Sequence, residues 1–264
     1  MKKTLGAIAV AVALGASASA SAVTIDLFST DQAYLTDTVI DGVGLFSQVA
    51  EAGLPVGNIL GGYRDLGVET KVSTNPAVRN ASIGVDTGAV SFNTDSGASG
   101  TGMILWDGSH AATGFTDVNT TGLGGVDLGS PFASSFQLDI VFADAGFDFI
   151  LTAWTDDTHW SSVKLNSLAH PVPGVSLIPF LAFLDCDNMI PGAVTTCAGS
   201  PGSWNPVDFS SVGALQALID PLGTFVSLDL TLDSVTTVPE PGSLVLAGLG
   251  LLALGGIRRR RSSL

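Results

Sequence analysis

Basic residues are almost missing from the middle of this 264-residue chain. Of ten lysines and arginines only Arg64, Lys71, Arg79 and Lys164 lie between residues 23 and 238, against 23 of the 24 acids, so that stretch carries a net charge of −19. A surface this acidic repels nucleic acid and anionic lipid, attracts divalent cations or basic partners, and helps keep an exported protein soluble. Nucleic acid is thereby excluded as a partner. Histidine is scarce as well: with only His110, His159 and His170 there is no His-Glu-x-x-His helix, and no Gly-x-Ser-x-Gly elbow precedes a helix. The glycines at 122, 124 and 125 lack both the strand-loop-helix context and the following lysine of a phosphate loop. Glu51 and Glu69 are the only glutamates of the body. A paired-carboxylate hydrolase would therefore draw on aspartates, which sit mostly in turns where the side chain caps its own backbone. These absences predict a body that is not an enzyme.

What the chain does have is two informative ends. Lys2-Lys3, an apolar run from Leu5 to Ala16 and small residues ending Ala20-Ser21-Ala22 form a secretory signal peptide over 1–22, so signal peptidase is the first expected partner. The mature chain then begins at Val23, with Ala18-Ser19-Ala20 as the competing cleavage site. At the other end Pro239-Glu240-Pro241 precedes an uncharged stretch over 242–257, and Arg258, Arg259, Arg260 and Arg261 close it. Each proline fixes φ and removes a donor, so the tripeptide is extended and can be gripped by an enzyme. As a helix the 16 apolar residues span about 24 Å, short of a hydrocarbon core of about 30 Å, and their glycines weaken it further. The arginines stay cytoplasmic by the positive-inside rule and leave the body across the membrane.

In this order of motif, short apolar helix and basic cluster, the chain resembles the PEP-CTERM family of exosortase substrates over residues 238–261. The resemblance implies that an exosortase-type membrane protease-transpeptidase recognises Pro239-Glu240-Pro241 and removes the anchor. The body is then released or transferred to the cell surface or an exopolysaccharide matrix. The expected function is an exported, non-enzymatic surface or matrix protein, transiently anchored in the inner membrane. A secreted glycan-active enzyme or carbohydrate-binding module on the same matrix is the alternative.

Between the ends, residues 23–237 read as one all-β domain, a β-sandwich of jelly-roll-like type, large enough to bury its own core. Thr24 to Phe28 opens it, and Asp86-Thr87-Gly88 joins two strands as a hairpin. Met103 to Trp106 is a further short strand. Phe136, Leu138, Ile140 and Phe142 alternate, as do Phe147, Phe149, Leu151 and Ala153, which puts each set on one face of a strand. Trp160 to Leu165 follows across a turn at Asp156-Asp157-Thr158. In the last strand Val226, Leu228, Leu230 and Leu232 face inward. Leu45 to Ala52 predicts a short helix before Gly53 and Pro55, whereas 214–219, ambiguous between helix and strand, is taken as strand. The closing strand is also loosely similar to jelly-roll carbohydrate-binding modules.

In an exported protein, Cys186 and Cys197, with ten residues between them including Pro191 and Gly192, read as a loop-stapling disulfide. Zinc would need more ligands, and a thiol nucleophile would need a histidine. No cofactor is implied; a structural calcium ion is the one metal that suits the oxygens of Asp185 and Asp187 in one loop and of Asp156 and Asp157 in another. Flat aromatic rings stack on sugars, which makes Trp160 and Trp204, both beside turns, the candidates for an exopolysaccharide platform. Trp154 is assigned to the core.

Overall fold

A computed structural model describes residues 22–51, 57–75, 78–129, 134–189 and 193–239. Residues 1–21, most of the expected signal peptide, and the tail from Glu240 onward, with Pro241, the 242–257 run and Arg258 to Arg261, lie outside them. In chain order the strands are β1 (Thr24–Asp26), β2 (Gln32–Asp37), β3 (Leu45–Ala50), β4 (Tyr63–Ser73) and β5 (Ala81–Asp86). Next come β6 (Ala89–Thr94), β7 (Ala98–Trp106), β8 (Ser134–Ala143), β9 (Phe147–Asp156) and β10 (His159–Ser167). The series ends with β11 (Gly174–Pro179), β12 (Val194–Ser200), β13 (Ser203–Asn205), β14 (Ala214–Ile219) and β15 (Asp229–Pro239). They form two antiparallel sheets, one in the order β11-β8-β15-β6-β5-β2 with β1 added on β15, the other β13-β12-β10-β9-β14-β7-β4-β3. The protein is a β-sandwich.

Period-two alternation builds the core between the sheets. Leu66 and Val68 of β4, Ile83 and Val85 of β5, and Phe147, Phe149, Leu151 and Ala153 of β9 are all buried in it. The hairpin between β5 and β6 turns on Thr87 and Gly88, both at positive φ, the arrangement that matches strand twist. At one end Phe180 and Phe183, from a 3-10 turn over Phe180–Leu184, pack with Phe136 and Phe209; the Phe180 and Phe209 rings stack at 3.9 Å.

Three expectations are corrected. Leu45 to Ala50 is strand β3, paired with β4 from Leu45↔Val68 to Ala50↔Tyr63, because an open sheet edge satisfies its backbone better than a two-turn helix would. Phe142 is 38% exposed instead of following Phe136, Leu138 and Ile140 inward. The ladder slips there: Thr231 faces Phe142 but Leu232 faces Ile140, and the extra residue turns Phe142 out and Ala143 in. Val226 is likewise 55% exposed, since β15 begins only at Asp229 and Ser227 before it has positive φ. Strand 214–219 stands as expected, as β14 between β7 and β9.

A second, smaller core lies on the outer face of the β7 sheet. Met103, Leu105 and Ala112 form it, with Phe46, Phe115, Val118 and Leu218 packed against them. Its cover is a strap, the connection over 107–128 that leaves β7 before the chain crosses to β8. Two glutamines clamp the strap: Gln48 Nε2 donates to His110 O at 2.6 Å and Gln216 Nε2 to Phe115 O at 2.8 Å.

Candidate functional site

The sorting tripeptide begins inside the sheet. β15 pairs with β8 as far as Val238↔Ser135 and Pro239↔Ser134, so the backbone next to Glu240 is still strand. Proline is admissible there because a strand end needs no further ladder donor. Strand β1 lies against the same stretch, with Thr24↔Thr236 and Asp26↔Val235. Thr237 N donates to Val23 O at 2.7 Å, and Val23 N donates to Thr237 Oγ1 at 2.9 Å. The expected start of the mature protein and the entry to the tail are thus neighbours at one end of one sheet. Among the described residues no helix is long and apolar enough to cross a membrane.

The two tryptophans singled out for a platform lie on different strands, Trp160 on β10 and Trp204 on β13. Trp160 pairs across strands with Trp154, and with Thr152, Ser162 and Thr196 they line a shallow depression of about 320 Å³ on the outer face of the sheet. Trp154, assigned to the core, is therefore a half-exposed neighbour of Trp160. Trp204, on β13, reaches the disulfide loop, where its indole N–H donates to Asp187 Oδ1 at 2.9 Å. Trp106 is the core tryptophan.

Cys186 and Cys197 are bonded, with Cα atoms 5.5 Å apart. Pro191 and Gly192, the expected turn between them, lie outside the described residues. The four aspartates singled out for calcium all serve as turn or side-chain acceptors. Asp185 Oδ1 takes the Met189 N–H, and Asp187 takes Trp204. Asp156 Oδ1 takes the amides of Thr158 and His159 and the Thr158 hydroxyl, and Asp157 takes the Thr120 hydroxyl. These bonds to the charged form hold the Asp156 carboxyl well below the usual range. Among the described residues no three His, Cys, Asp or Glu side chains converge on a metal position.

Two buried polar clusters were missed in the sequence. In the main core Arg64 and Asp26, both 0% exposed, form an ion pair at 3.1 Å. Gln32 Oε1 accepts from Arg64 Nε, Thr30 O accepts from Nη2, and Trp106 Nε1 donates to Asp26 Oδ2 at 2.9 Å. Burial raises the Asp26 carboxyl, against the pull of Arg64 and these donors. The available signal was Arg64 itself, one of four basic residues in the body, set among strand residues.

The second cluster is under the strap. Asp65 Oδ2 accepts from Gln48 Nε2 at 3.1 Å and Oδ1 from Ala112 N at 3.2 Å. Burial pushes this carboxyl up to about 6, the nearby Asp107 adding to the effect and the two donors opposing it. Asp107 is raised too, mainly by burial. Its Oδ2 accepts from Asn119 N at 2.7 Å, while Oδ1 has no hydrogen-bond partner. His110 Nε2 lies 3.0 Å from Asp117 Oδ1 at the rim. Asp107 belonged to no recognised pattern, because the cluster brings together residues of β3, β4 and the strap that are far apart in the chain.

Fold and termini together define an exported all-β protein with a C-terminal sorting signal. Residues 237–261 match the family model for the PEP-CTERM protein-sorting motif. The chain carries that motif, which marks export, transient anchoring through the C-terminus and processing by an exosortase. The match overlaps β15 by Thr237, Val238 and Pro239, so the sorting signal and the folded body share residues. No curated protein matches the chain.

Proposed function

We propose that the chain is a non-enzymatic surface or matrix protein, exported after cleavage by signal peptidase, that an exosortase delivers to the cell surface or medium and that binds exopolysaccharide there. The observation that carries the first part is the tail, whose motif begins within the last three residues of β15. Mass spectrometry of the mature protein from its own cell tests it. The expected C-terminus lies upstream of Arg258; an intact end retaining Arg258 to Arg261 overturns the processing.

Glycan binding is supported by Trp154 and Trp160, half-exposed side by side with three hydroxyl side chains around them. Such a surface gives a sugar both an aromatic face and hydrogen-bond partners. The exported protein is passed over immobilised exopolysaccharide from the producer, and the polysaccharide is assayed for new reducing ends. Retention lost in Trp160→Ala without reducing ends is the expected result; reducing ends identify an enzyme, and no retention identifies a structural protein with neither role.

A further inference from the structure

We propose that Asp65 and Asp107, together with the main-chain oxygens of His110 and Gly108 and the side-chain amide of Gln48, form a binding site for a divalent hard cation of the calcium class beneath the strap. The starting observation is Asp107. Its side chain is fully buried, and its Oδ1 lacks any donor. An unpaired oxygen of that kind is costly to bury, more so in a carboxylate. The second carboxylate, Asp65, is close enough to feel Asp107, whose charge adds to the burial that disfavours ionisation of Asp65. The neighbouring cation on β4, Arg64, is in the main core paired with Asp26, and His110 Nε2 is turned to Asp117 at the rim.

The oxygens around Gln48 point the same way. Its Nε2 lies 3.1 Å from Asp65 Oδ2, 2.6 Å from His110 O and 3.5 Å from Gly108 O. A primary amide has two protons, so three acceptors converge on a group that satisfies two of them. Rotating the amide by half a turn presents Oε1 instead, the orientation an ion would select. Calcium takes six to eight oxygens from carboxylates, carbonyls, amides and waters, so two carboxylates suffice where main-chain oxygens and water complete the shell. The loop is shaped closely around this point, since a Cβ on Gly122 would run into the Asp107 carbonyl. The ion would fasten the strap to the outer face of β3, β4 and β7.

The test uses the exported protein, freed of metal with a chelator and melted with and without 10 mM calcium chloride. Extracellular calcium modules bind at about 10⁻⁴–10⁻³ M, for which linkage predicts a rise in melting midpoint of roughly 3–8 °C. Asp107→Asn and Asp65→Asn should each abolish that rise, whereas Asp185→Asn/Asp187→Asn should keep it. If Asp107→Asn does not fold, Asp65→Asn alone decides. An unchanged wild-type midpoint overturns the site. So does a rise that survives Asp65→Asn, which would place the ion elsewhere.

Discussion

At the scale of single residues, the pair of Arg64 and Asp26 has the largest consequence for stability. Both charges are withdrawn from water, and each is tolerable only because the other and three neutral partners are in place. Arg64→Met should lower the free energy of unfolding by about 3–5 kcal/mol in urea titrations followed by tryptophan fluorescence, because it strands a buried carboxylate. Adding Asp26→Asn should recover part of the loss. Asp148 shows the opposite case, a pair near the surface in which Asp148 is 14% and Lys164 38% exposed. Its hydrogen bond to Lys164 comes first in holding its carboxyl below the usual range, with Asn166 Nδ2 adding to it. A depressed carboxyl contributes stability that is present above about pH 4 and disappears as pH falls through its folded value. Asp148→Asn should therefore cost up to about 1 kcal/mol at pH 7, the range for a half-exposed pair, and its gap from wild type should close as pH falls below about 4.

Among the elements, those with a strict two-residue alternation were legible in the sequence. β9 is the clear case: Phe147, Phe149, Leu151 and Ala153 were expected on one face and all four are buried. β8 was legible as far as Ile140, where the slip against β15 defeats any reading by period, since a bulge depends on the partner strand. β3 failed for a related reason. Six residues are too few to separate a helix period from a strand period, and the deciding fact is the free edge of β4, which is remote in sequence. The strap and the Asp107 cluster were illegible because their contacts join loop 107–128 to β3, β4 and β14 across long stretches of chain. By contrast the disulfide was readable from spacing and export together. Cys186→Ser/Cys197→Ser should lower stability by about 3 kcal/mol, the entropy of a closed loop of about a dozen residues. Comparing its urea midpoint with that of the wild type, each with and without reductant, checks this, since only the wild type should respond to reductant.

For the molecule as a whole, the decisive element is β15, which is flanked by β8 on one side and by β6 and then β1 on the other. It is also the last strand of the body to leave the ribosome, so the sheet cannot close until nearly all of the chain has been made. Ending the chain after Leu232 removes every pair from Ser234 to Pro239, including those that hold β1. The truncated protein should lose its cooperative thermal transition in circular dichroism, whereas ending it after Pro239 should leave that transition near the full-length value. The same strand has a mechanical side. A pull on the C-terminal end enters at Pro239 and runs along the axis of β15. The rungs to β8 stand across that pull and share it at once, as in a lap joint loaded in shear, rather than opening one after another like a zipper. A body fastened by its tail and dragged by flowing water would thus be gripped through the strongest direction its own sheet offers.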